Sequence, residues 1–157
     1  MPTFSFFLII HIVAGSICLL SGAVAIFARK RKGVHTKIGE LYHACYLIVF
    51  ITAIVMSIMR WSQLQYLFYI AIFSYSLALY GYLAKKFRWK EWLRKHITGM
   101  LGSYIGVITA VLVVNGEPVS YVTGLPYLSL WFIPTIIGTP LIMYITNKFL
   151  RPRKRSK

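Results

Sequence analysis

Five apolar stretches, separated by short polar links, make up most of this 157-residue chain. A helix needs about 20 predominantly apolar residues to cross the hydrocarbon core of a bilayer. Each stretch reaches or approaches that length, at roughly 4–28, 38–59, 64–84, 96–114 and 128–147. The sequence therefore predicts an all-α fold, a polytopic membrane helix bundle with five transmembrane helices. We expect a single domain over 1–150 and a basic tail at 151–157.

Lysine and arginine are concentrated in every second link of the chain. Three clusters at 29–37, 85–95 and 148–157 hold all of the basic residues except Arg60. Basic residues next to transmembrane helices mark the cytoplasmic side. The clusters follow the first, third and fifth stretches, so the N-terminus is predicted outside and the C-terminus in the cytoplasm. The first stretch has no positive charge before it, which favours a retained helix over a cleaved signal peptide.

The same distribution of charge indicates the partners of the chain. A net charge of +15 could indicate nucleic-acid binding, but the cations would then be expected on one folded polar face. Here they flank segments of a chain that is 58% hydrophobic. We therefore expect the lipid bilayer and its anionic headgroups as partners, and no nucleic acid. In the link 85–95, aromatic residues alternate with cations, which is typical of an interfacial anchor.

Small residues recur at helical spacing in the first and fourth stretches. Such stripes allow membrane helices to pack closely within one chain or between copies, so helix–helix oligomerisation is possible. The two stripes are His11, Gly15, Cys18, Gly22 and Ala25, and His96, Gly99, Ser103, Gly106 and Ala110. Each stripe includes a histidine, which is therefore predicted to face the bundle interior. The cysteines, Cys18 and Cys45, lie inside apolar stretches and are interpreted as packing residues. No internal repeat is visible, and the link 115–127 is rich in turn-forming residues and predicts a loop.

Ionisable residues within a membrane are candidates for function because their burial is costly. At about 1.5 Å per residue, His11 lies roughly 10 Å from the outer start of its helix. The other candidates are predicted to gather near the cytoplasmic face. They are His35, Glu40, His43 and His96, which together offer three imidazoles and one carboxylate. Glu40 and His43 have the spacing of carboxylate–histidine pairs in metal-binding helical bundles, so these four residues are candidate ligands for a transition metal.

Two other interpretations stay open at this point. Histidines from different helices at equal depth can hold heme b, as His43 and His96 could, whereas His11 could pair only with Met56 or Met59. Alternatively, the protein has no cofactor and is structural or accessory to transport, with histidines along a proton path. A Glu40–His43 hydrogen bond would then replace the metal site. Nucleophilic catalysis has little support because the chain has no aspartate, and whether it is an enzyme stays open.

Four segments together resemble a family of small bacterial membrane proteins of unknown function. The segments are His11–Ser16 with Gly22, and the ranges 33–42, 96–105 and 131–140. The resemblance implies a multipass protein of the bacterial cytoplasmic membrane. It also implies that the family has histidines at the positions of His11, His35 and His96, and glycines at those of Gly15, Gly22 and Gly39. His43 has no clear counterpart in the family. The family is loosely similar to heme-binding membrane proteins such as cytochrome b561.

The resemblance favours His35 and His96 as the main candidate site residues, a pair at the cytoplasmic edge. Such a pair could bind a metal, a heme propionate, a quinone headgroup or a lipid phosphate, or could tie helix ends together. The sequence thus predicts a heme- or metal-binding protein of redox type. Its site would lie near the cytoplasmic face, with His96 and His35 foremost, then His43 and His11.

Overall fold

The computed structural model describes residues 2–29 and 33–150, and all regular structure in these ranges is helical. Five helices are long and apolar enough to cross a membrane, which confirms the predicted all-α fold with five such helices. A sixth, short helix interrupts the predicted loop 115–127. The helices are α1 (Pro2–Phe27), α2 (Val34–Met59), α3 (Trp61–Lys86), α4 (Trp92–Val114), α5 (Gly116–Thr123) and α6 (Ser129–Leu150). The predicted basic tail lies outside the described residues.

The long helices form a four-helix ring with one helix added on its outside. Helix α1 packs on α2, α2 on α3 and α3 on α4, while α4 also contacts α1. Consequently α2 and α4 face each other across the centre, and α6 packs against the outer side of α4. We call the end where α1, α3 and α6 finish the basic end, because Arg29, Lys37, Lys85, Lys86 and Lys148 lie there. The opposite end carries α5.

Helices α3 and α4 approach each other most closely where two glycines meet. A Cβ atom added to Gly99 would lie 2.7 Å from the Cα of Gly81 and 2.7 Å from the carbonyl oxygen of Leu77. Further along α4, Gly106 lies directly on the side chain of Ser74. Small residues allow this backbone approach in apolar surroundings, where van der Waals packing holds helices together. The small-residue stripe on α4 therefore packs on α3.

At mid-height the centre of the ring is filled by tyrosine side chains. The Ser103 hydroxyl donates its one hydrogen to the Met100 carbonyl at 2.8 Å. In its contact with Tyr42 at 2.9 Å, the Ser103 Oγ therefore accepts and the Tyr42 hydroxyl donates. The Tyr46 hydroxyl donates to the Ser103 carbonyl at 3.2 Å. These bonds join α2 to α4 across the centre. A buried polar group is stable when it is hydrogen-bonded, so this core specifies one pairing of the two helices.

Helix α1 is joined to α4 at the same level. The Tyr104 hydroxyl donates to the Leu19 carbonyl at 3.0 Å, and its ring lies on Gly22. A Cβ atom at Gly22 would lie 2.5 Å from the Tyr104 ring, so glycine is required for this approach. Cys18 and Cys45 are free thiols buried beside the tyrosines, in agreement with the packing role predicted for them.

Candidate histidine site

His35 and His96 lie next to each other at the basic end of the bundle. Helices α2 and α4 begin earlier than the sequence predicted, so His35 is the second residue of α2 and His96 the fifth of α4. Their ring centroids are 6.5 Å apart and their ring planes are perpendicular. Because α2 and α4 face each other across the ring of helices, these two residues meet although 60 others separate them in the chain.

A backbone carbonyl from the preceding helix orients each of these imidazoles. The Nδ1 atom of His35 is 3.0 Å from the Ala25 carbonyl oxygen, and that of His96 is 3.0 Å from the Gly81 carbonyl oxygen. Since a carbonyl can only accept, each Nδ1 carries a hydrogen. In the neutral imidazole the lone pair is therefore on Nε2. Metal-ligating histidines show this arrangement, in which the second ring nitrogen donates to a carbonyl or carboxylate.

The two histidines occupy equivalent positions in two helical hairpins. Helices α1 and α2 form one hairpin and α3 and α4 the other, and in each a histidine near the start of the second helix bonds a carbonyl near the end of the first. Tyr42 and Ser103, which bond each other, are each seven residues beyond their histidine. The sequence shows no repeat because the residues at the other matched positions differ. The Tyr42–Ser103 hydrogen bond nevertheless joins the second helices of the two hairpins.

His43 and Glu40 do not join this pair, so the four predicted ligands do not form one group. The His43 ring stacks on Tyr82, with centroids 4.2 Å apart and planes 4° apart, and Tyr75 lies on its other side at 5.8 Å. Glu40 is exposed. Among the residues that the structure describes, no three His, Cys, Asp or Glu side chains are placed to share a metal ion. The reason is helical geometry, because the eight residues from His35 to His43 span about 12 Å and turn the side chain toward α3.

His11 lies apart from the other histidines, toward the opposite end, as its depth in the sequence predicted. Its Nδ1 atom is 2.9 Å from the Thr52 Oγ1. The Thr52 hydroxyl donates to the Ile48 carbonyl at 2.8 Å, so its oxygen accepts from His11. This bond ties α1 to α2.

The surroundings of the histidine pair disfavour a porphyrin. Tyr42, Cys18 and Ser103 fill the centre beneath the pair and are at most 2% exposed. The contact between Gly81 and Gly99 closes the α3–α4 side one turn from His96. A macrocycle would have to displace these groups. With metal–nitrogen bonds of about 2.0–2.1 Å, two imidazoles on opposite sides of an ion have centroids roughly 6 Å apart.

The charge at this end also restricts which ion could bind. The basic end carries many cations, and within the described part of the chain the one ion pair found is Arg94 with Glu91, at 3.9 Å. Positive charge nearby opposes a divalent cation more strongly than a monovalent one. Two neutral imidazoles suit monovalent copper, since imidazole is among the nitrogen ligands that copper accepts.

The tyrosine core beneath the histidine pair was not predicted from the sequence. Tyr42 and Tyr46 are one helical turn apart, and both are buried. A signal was present, since two tyrosines at this spacing in an otherwise apolar stretch require hydrogen-bond partners when they are buried. Their partner could not be inferred, because Ser103 is distant in the chain.

Comparison with protein-family models, with curated proteins and with solved structures finds no match to this chain. The family resemblance of the sequence motifs therefore stays a prediction.

Proposed function

We propose that the chain is an integral protein of the bacterial cytoplasmic membrane and that its basic end faces the cytoplasm. Five helices of sufficient length and apolarity support the membrane location. The orientation rests on the positive-inside rule, since Arg60 is the one lysine or arginine in the links at the opposite end. The basic end then also contacts anionic lipid headgroups, with Trp89 and Trp92 at the interface.

A pair of reporter fusions tests this orientation. We expect a cytoplasm-dependent fluorescent reporter fused after Lys157 to be active and an export-dependent phosphatase at the same place to be inactive. Fused after Gly124, in the link between α5 and α6, the two reporters should give the opposite result. Activity of the phosphatase at Lys157 would contradict the orientation.

We further propose that the function of the protein is to bind copper through His35 and His96, at a redox-type site near the cytoplasmic face. The observation that carries this proposal is the pair of imidazoles at 6.5 Å, each with its Nδ1 hydrogen committed to a backbone carbonyl. In each ring the Nε2 atom is the proposed ligand atom. Two protein ligands leave room in the coordination sphere for a further ligand, and bound copper would supply one-electron chemistry there.

Titration of the purified protein with metals tests this proposal. In detergent and under reducing conditions, we expect the protein to bind one copper(I) ion per chain and to retain it when a chelator competes for copper. Binding of Zn²⁺ should be weaker. Added hemin should give no stoichiometric Soret band, because the centre of the bundle is filled. Absence of saturable copper binding would overturn the proposal. The histidines would then serve only to tie α1 to α2 and α3 to α4, in a protein without a cofactor.

A further inference from the structure

At the end opposite the histidine pair, an open crevice of about 650 Å³ lies among the ends of α3 and α4, the helix α5 and the link that leads to α6. Small-molecule sites usually measure about 300–1,000 Å³. The crevice is lined by Tyr66, Val113, Val114, Gly116, Glu117, Pro118, Ser120 and Tyr127. Its volume and position thus suit a small ligand that arrives from the outer side of the membrane.

Two tyrosine rings form walls of this crevice and are fixed by their neighbours. The Tyr127 ring lies directly on Gly116, where any side chain would collide with it, and its hydroxyl donates to the Val113 carbonyl at 3.4 Å. Tyr66 packs against Trp131, with ring centroids 5.7 Å apart. Because both rings are held in place, the crevice presents aromatic surface of defined shape rather than mobile side chains.

The polar groups of the crevice are a carboxylate and a buried hydroxyl. Glu117 is exposed and is one of only three acidic residues in a chain of net charge +15. The Oγ atom of Ser120 is buried and has no hydrogen-bond partner. A buried hydroxyl without a partner is destabilising. The link 115–127 carries no lysine or arginine to neutralise Glu117.

We infer that this crevice binds an organic ammonium group. The Tyr66 and Tyr127 rings provide the electron-rich surfaces that attract such cations, and the Glu117 carboxylate provides the opposite charge. A carboxylate beside aromatic rings disfavours anions and gives neutral ligands no charge to pair with. This inference is independent of copper binding, since the two sites lie at opposite ends of the bundle.

An ammonium group could come from a free amine or from a zwitterionic lipid headgroup of the outer leaflet. Choline as chloride salt and its neutral isostere 3,3-dimethyl-1-butanol separate charge from shape. In nanodiscs of phosphatidylglycerol, we expect saturable binding of choline, measured as broadening of its methyl resonance. The isostere should bind at least about tenfold more weakly. Equal binding in phosphatidylcholine discs would identify a free amine as the ligand. Loss of binding there would identify the lipid headgroup, which already fills the site.

Matched variants decide whether the crevice is the site. E117Q should weaken choline binding at least about tenfold, because it removes the charge and keeps the shape. E91Q makes the same change at the basic end and should have no effect. Y66L should also weaken binding, with an unchanged melting temperature as its control for folding. The inference is overturned if choline and the isostere bind alike in phosphatidylglycerol discs, or if E117Q binds choline as the wild type does.

Discussion

Substituting leucine for Gly99 is expected to lower the free energy of unfolding by about 3 kcal/mol or more, the upper range for overpacked sites. The first atom of any side chain there would lie 2.7 Å from the backbone of Gly81 and from the Leu77 carbonyl oxygen. Backbone atoms cannot rotate away as a side chain can. The helices α3 and α4 would therefore have to separate along the whole contact that the small residues provide.

Gly39 offers a matched control for this substitution. It lies in α2, and a Cβ atom there would meet nothing within 4 Å. Gly39→Leu should change the free energy of unfolding by less than about 1 kcal/mol, and improved helix propensity could offset part of any loss. Unfolding of both variants in detergent, followed by circular dichroism, measures the difference. Equal destabilisation by the two substitutions would show that the α3–α4 contact does not depend on Gly99.

Replacing either histidine of the pair is expected to reduce copper(I) affinity by at least about 100-fold, more than loss of a typical outer-shell partner costs. One imidazole would remain, and the bound ion would lose half of its protein ligands. H35A and H96A should have similar effects, and the double variant should bind little more weakly than either alone. That non-additivity is expected when two residues act on one ion.

Controls for this prediction separate ligation from folding. H43A and H11A remove a histidine from other parts of the bundle and should leave copper affinity within about threefold of the wild type, since neither ring belongs to the pair. H96Q keeps a side chain that can donate to the Gly81 carbonyl but has no imidazole. It should retain stability better than H96A and still lose copper. Copper binding by H96Q at wild-type affinity would rule out His96 as a ligand.

The candidate site was predictable only in part. Charge and depth placed His35 and His96 at one end of the molecule, and the structure brings them together. The same reasoning added His43, which instead stacks between Tyr75 and Tyr82. Depth can be counted from the sequence because the rise per residue is constant. The direction in which a side chain faces depends on where the neighbouring helices stand, and His43 has neighbours on α3 that no local pattern reveals.

The amino-acid sequence by itself determined the helical class, the five apolar helices and the end at which the basic residues lie. These features follow from local composition, because each apolar stretch must satisfy its own backbone hydrogen bonds and does so as a helix. Only the tertiary structure decided that α2 and α4 face each other across the ring, with Tyr42 bonded to Ser103 beneath the histidine pair. Pairing of distant helices depends on how side chains of different segments fit, as where Gly99 meets Gly81. The fit depends on the side chains of both helices, so it cannot be predicted from the sequence of either segment alone.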